Sequence, residues 1–95
     1  MIVRMTGEFD SRTQMAIREG FSWITNAVTI DLDNAYLAAG ALGEILHLAN
    51  RIGIENVKLA NPTPMMRKIL ATTHLDRVLD VINLDDSRAH YKKSA

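Results

Sequence analysis

Residues Val28 to Gly53 read VTIDLDNAYLAAGALGEILHLANRIG, and this stretch decides the fold. It opens in alternation: Val28, Ile30 and Leu32 share one face of an extended chain, and Thr29 and Asp31 share the other. A short connection, Asp33 to Leu37, hands over to a helix expected to begin near Ala38. Leu42, Ile45, Ala49 and Ile52 recur at helical spacing and predict a buried face. Glu44, His47 and Arg51 form a polar stripe expected on the opposite, solvated side. Gly53 supplies the left-handed residue that commonly ends a helix. Another apolar run, Val57 to Ala60, follows at once and completes a βαβ unit.

On the N-terminal side, Ile2 to Thr6 reads as a short strand leading into Gly7-Glu8-Phe9-Asp10. Asp10 is the expected N-cap of a helix, because its carboxylate can accept from the free amides of the next turn. Ile17, Phe21 and Ile24 give that helix a buried face, and its end is expected around Thr25-Asn26. Trp23, the single tryptophan, is expected to pack at the edge of that face rather than to anchor a partner. On the C-terminal side, Thr63 as N-cap and Pro64 at the first helical position start a helix that turns Met66, Ile69 and Leu70 inward. Thr72-Thr73-His74 breaks it, Leu75-Asp76-Arg77 leads on, and Val78 to Ile82 reads as a fourth strand. Asp85 or Asp86 then caps a short last helix ending near Tyr91. The order βαβαβαβα predicts one α/β domain over residues 1–95, with a mostly parallel four-stranded sheet and about four helices.

Composition narrows the function classes. The chain has 95 residues, 47% hydrophobic and 23% charged, as in an ordinary globular domain with one core. It contains no cysteine, so disulfides and thiolate metal sites are excluded. There is no apolar run long enough to span a bilayer and no secretory leader, and a cytoplasmic location is expected. Net charge is zero, which argues against a dedicated nucleic-acid binder. Residues 1–50 carry three basic and six acidic side chains, and residues 51–95 carry eight and five. A dipole of this sign can orient a protein partner, although so mild an asymmetry commonly has no function.

Catalytic constellations are sparse. Gly40-Ala41-Leu42-Gly43 lacks the lysine and spacing of a phosphate-binding loop. His47, His74 and His90 fall on separate elements without metal-ligand spacing. Ser11, Ser22, Ser87 and Ser94 have no recognisable base partner. Asp31 and Asp33 lie on one side of an extended chain at a strand's C-terminal end, where open α/β sheets place ligands. Paired carboxylates there can do acid–base work or bind Mg²⁺, or simply solubilise the strand end. The last role is the expected one. Neither an enzyme nor a cofactor is expected.

The pattern resembles a known family. A strand followed by Gly7-Glu8-Phe9-Asp10 resembles the Gly-Glu-Leu-Asp signature near the start of STAS domains. These domains are shared by bacterial anti-sigma-factor antagonists and the tails of sulfate transporters. Val28-Thr29-Ile30-Asp31-Leu32 is similar to the family's second conserved strand, and the helix, Gly53 and Val57-Lys58-Leu59 follow in the family's order. Thr72-Thr73-His74-Leu75-Asp76-Arg77-Val78-Leu79 resembles the closing segment of a helix break and apolar strand. The resemblance covers residues 2 to about 90. Each motif is weak alone; their order and spacing are more specific.

The resemblance implies a non-catalytic domain that regulates transcription by binding a protein, of the antagonist type. It also marks one departure. Phospho-regulated antagonists carry Asp-Ser-Ser-Gly at the start of the central helix, with the second serine as phosphate acceptor. With Gly40 matched to that glycine, the place is taken by Leu37-Ala38-Ala39-Gly40, so Ala39 or a neighbour stands at the acceptor. No serine or threonine occurs from Asn34 to Asn50. The switch that adds roughly two negative charges at an interface is therefore expected to be missing. The implied contact surface is Asp10, Ser11, Asp33, Asn34, Tyr36, Ala38, Ala39 and Gly40, where the small residues either admit a partner or pack the helix on its sheet. The implied partner is an anti-sigma kinase-like ATPase. The alternative is an accessory subunit of a lipid-transport ABC complex, bound to its transporter ATPase, or of a signalling scaffold.

Overall fold

The computed structural model describes residues 1–84, so the expected last helix lies outside the described residues. Strands β1 (Ile2–Arg4), β3 (Val28–Asp31), β5 (Val57–Ala60) and β6 (Asp80–Ile82) form one sheet in the order β1-β3-β5-β6, with every pair parallel. Helices α1 (Gln14–Phe21), α2 (Ala39–Ile52), α3 (Pro64–Thr72) and α4 (Leu75–Val78) fill the connections. The chain is an α/β protein with a four-stranded parallel sheet. On the central strand Val28, Ile30 and Leu32 are buried as expected, but Asp31, expected to solubilise the strand end, is buried as well. They join Leu42, Ile45, Leu48, Leu59, Met66 and Leu70 in one core. On the other sheet face, Ile2, Lys58 and Asp80 are exposed. Thr63 caps α3, its hydroxyl accepting from the Met66 amide at 3.2 Å, with Pro64 in the first turn.

Several expectations are corrected. The connection from Asp33 to Leu37 contains a strand, β4 (Ala35–Leu37), which pairs in parallel with β2 (Gly7–Phe9) in a second, two-stranded sheet. Asp10 is not the N-cap of α1. Its carboxylate is claimed by Arg12, whose amide donates at 2.9 Å and whose guanidinium donates at 2.8 Å, so a turn intervenes and the helix starts at Gln14. That helix also ends early, at Phe21, where the Ser22 hydroxyl donates back to the Glu19 carbonyl at 2.6 Å. Trp23 thus follows the last helical turn, is not carried onto the buried face, and stands 85% exposed. The fourth strand is shorter than expected, because Leu75–Val78 coils into α4 after His74 takes a left-handed backbone at φ 61°.

The polar stripe of α2 is the largest correction. It does not face solvent throughout but forms the seam with α1. Glu44 is 4% exposed; one carboxylate oxygen accepts from Arg18 at 2.9 Å and from Gln14 at 2.9 Å, and the other accepts from Arg18 at 3.1 Å. Arg51 donates to the carbonyls of Phe21 and Ile24 at 2.7 and 3.0 Å, placing a cation at the C-terminal end of α1 where the helix dipole favours it. His47 remains exposed between them. The bidentate Arg18 and then the Gln14 amide hold the Glu44 carboxyl down from 4.5 to about 2. A carboxyl lowered on folding stabilises the fold fully above its unfolded value and loses that contribution as pH falls through the folded one. Acid unfolding should therefore steepen between pH 4.5 and about 2. In Glu44→Gln this limb should flatten while Tm at pH 7 drops. Equal acid slopes in the two proteins, followed by circular dichroism, would remove Glu44 from the account.

Candidate functional site

The expected contact residues gather at one end of the molecule through a single register change. Along β1 and β3, Arg4 stands opposite Asp31; along β2 and β4, Gly7 stands opposite Ala35. Two residues separate Arg4 from Gly7 and three separate Asp31 from Ala35, so the second strand carries one extra residue, a bulge. Asn34 absorbs it with a left-handed backbone at φ 68°, a conformation asparagine tolerates better than most residues. The Gly7 amide donates to the Asn34 carbonyl at 3.0 Å, and the Ala35 amide donates to the Leu32 carbonyl at 3.0 Å. The ladder ends where the Ala38 amide donates to the Phe9 carbonyl at 2.8 Å. This bond ties the start of α2 to the residue preceding Asp10. The Asp10-Ser11 turn and the segment from Asn34 to Ala39 thereby become neighbours, although far apart in the chain.

Within this region the side chains differ in availability. Ser11, Asn34 and Ala39 are exposed, and Tyr36 is 41% exposed. Ala38, the N-cap position of α2, is half-buried and has no side-chain acceptor for the first amides of the helix. Gly40 lies under α1: a Cβ built there meets Gln14 Oε1 at 2.6 Å. Its smallness serves helix packing, whereas Ala39 faces outward. Asp10 is tied to Arg12, whose hydrogen bonds hold its carboxyl below the usual carboxylate range.

Asp31 and Asp33 are not equivalent. Asp31 is 2% exposed, Arg4 Nε approaches its Oδ2 at 3.6 Å, and its Oδ1 accepts from the Asp33 amide at 3.0 Å. One carboxylate is thus buried in the strand-end turn while the other is half-buried. Among the described residues, no three His, Asp or Glu side chains come together as a metal site.

Sequence reasoning missed a groove beside Tyr36. It has a volume of about 420 Å³ and runs between α2 and the α3–α4 corner, with Tyr36, Leu42, Leu46, Ile69, Thr73 and Leu75 on its walls. Leu46 falls outside the set Leu42, Ile45, Ala49 and Ile52, yet its helical spacing of four from Leu42 was a usable signal.

A STAS-domain containing protein of Pseudomonas aeruginosa (strain UCBPP-PA14) is 31% identical over 87 residues, covering 85% of this chain and 86% of the relative. The chain belongs to the STAS-domain family. No family model matches it. The STAS assignment agrees with the parallel α/β sheet and with the Gly7-Glu8-Phe9-Asp10 and Val28–Leu32 motifs. No helix among the described residues is long and apolar enough to cross a membrane.

The bulge offers a direct test. Asn34→Val puts a β-branched residue at positive φ and should lower stability by about 1–2 kcal/mol, whereas Asn34→Gly should change it little. Urea midpoints measure this. Equal midpoints for valine and glycine would mean that the left-handed turn is not required.

Proposed function

We propose that this STAS domain is a regulatory module that acts by binding a protein, in the manner of an anti-sigma-factor antagonist, and carries no phosphorylation switch at its binding face. The observation that carries the reading is the surface at the start of α2. There an exposed Tyr36 and an outward Ala39 line an apolar groove of about 420 Å³, and the Asp10-Ser11 turn neighbours the segment that carries them. Aromatic side chains beside apolar grooves are the usual anchors of protein interfaces. The small side chains at Ala38 and Ala39 permit close approach of a partner's backbone. From Asn34 to Asn50 there is no serine or threonine hydroxyl to accept phosphate, so the contact is constitutive rather than gated by charge. The partner is an anti-sigma kinase-like ATPase.

Two outcomes are expected. Incubation with a related anti-sigma kinase and ATP should leave residues 34–50 unmodified by mass spectrometry; stoichiometric phosphate there would overturn the unswitched reading. Tyr36→Ala should weaken partner binding by about 1–2 kcal/mol, roughly ten-fold, with the fold retained. Affinity capture from the native lysate, with and without ATP and Mg²⁺, identifies the partner. A small nucleotide-dependent kinase supports the antagonist role, whereas a transporter ATPase or a large scaffold replaces it with an accessory-subunit role.

A further inference from the structure

The β1 edge of the four-stranded sheet carries a second surface. β1 pairs with β3 on one side only, and among the described residues no strand pairs with its outer side. Thr29 donates to the Met1 carbonyl and Met5 donates to the Asp31 carbonyl, each at 2.9 Å. In a parallel ladder alternate residues make the bonds, so Met1, Val3 and Met5 address β3 while the peptide groups of Ile2 and Arg4 point outward. An outer row of free donors and acceptors is a template for another strand. Beside it lies an apolar groove of about 440 Å³ between β1 and α1. Val3, Met5, Phe9, Ile17 and Phe21 line it, and Ala16 and Gly20 keep it open. Its rim is apolar and exposed at Met1 (69%) and Trp23 (85%), and Ile2, 63% exposed, projects from the opposite sheet face of the same edge strand.

We propose that β1 is a homodimer interface at which a second copy of this chain adds its own β1 antiparallel, joining two four-stranded sheets into one. The strand is suited to itself. Centred on Val3, the two-fold pairing sets Ile2 against the partner's Arg4, whose outward peptide groups are the ones left free. It sets Met1 against the partner's Met5. Met1, Val3 and Met5 alternate onto the helix side, so each exposed Met1 reaches the Met5 and Phe9 end of the other copy's groove. The alkyl stem of Arg4 covers Ile2, and its guanidinium already has Asp31 as counter-ion at 3.6 Å, so the two-fold brings no uncompensated like charges together. Covering Met1, Ile2, Trp23 and the groove walls on both copies removes on the order of 1,000 Å² from water, the lower bound for a specific dimer. None of these residues belongs to the Tyr36 surface, so self-association and partner binding use separate faces.

Sedimentation equilibrium over a concentration series tests this. The mass should rise from the 10.6 kDa of one chain toward about twice that, and the emission of Trp23, the sole tryptophan, should shift to the blue over the same range. Ile2→Pro removes an outward amide without touching the β3 ladder, and Ile2→Lys puts a charge on the edge strand. Each should raise the dissociation constant at least ten-fold with the circular dichroism spectrum unchanged, and Ile2→Lys serves should the proline variant unfold. A chain monomeric to millimolar concentration would overturn the proposal, as would a dimer indifferent to a folded Ile2 variant.

Discussion

One extra residue between Asp31 and Ala35, relative to the strand beside it, is the constraint from which the functional end of this domain follows. Two strands that would otherwise run on as a single ladder are bent where Asn34 turns left-handed, and the pair resumes as a separate ribbon. The bend redirects the chain so that the amide of Ala38 reaches the carbonyl of Phe9, and α2 starts from that anchored point. The first turn of α2 is therefore positioned by main-chain bonds. Its N-cap side chain contributes none, since Ala38 has no acceptor to offer.

Once its start is set, α2 is held along its length by two contacts with α1. Near the beginning, Glu44 accepts from Arg18 and Gln14; near the end, Arg51 donates to the Phe21 carbonyl that closes α1 and to the Ile24 carbonyl just beyond it. A buried carboxylate without partners would be strongly destabilising, so this arrangement works because Arg18 and Gln14 lie four residues apart on one helical face. The apolar core beneath gives cohesion without direction. The seam adds register between the helices, because charged hydrogen bonds tolerate little sliding.

The parts of this fold legible in the sequence are those governed by local periodicity. Val28 to Leu32 alternates, Leu42, Ile45 and Ala49 repeat at helical spacing, and Thr63-Pro64 punctuates a helix start; each outcome depends on residues within one or two turns. What was not legible depends on distant residues. Glu44 looked like part of a solvated stripe because its partners, Gln14 and Arg18, lie 30 and 26 residues earlier. The strands β2 and β4 are three residues each, too short for alternation to register, and exist only because they pair with each other. Trp23 was expected to pack at the edge of the buried helix face, but a helix ending at Phe21 leaves it outside. At the candidate site, the residue types around Asp10 and Asn34 to Ala39 were legible, while their adjacency depends on the bulge and the groove beside Tyr36 on the distant α3–α4 corner.

Gly40 links the seam to the surface beside it. Its missing Cβ is the space into which Gln14 reaches on its way to Glu44. A side chain at position 40 would push Gln14 aside and take away one of the two residues that satisfy the buried carboxylate. Position 39, one residue earlier and open to solvent, carries no such penalty. The interhelical latch and any side chain at position 40 thus compete for the same volume, whereas a hydroxyl at position 39, the expected acceptor place, would leave the latch intact.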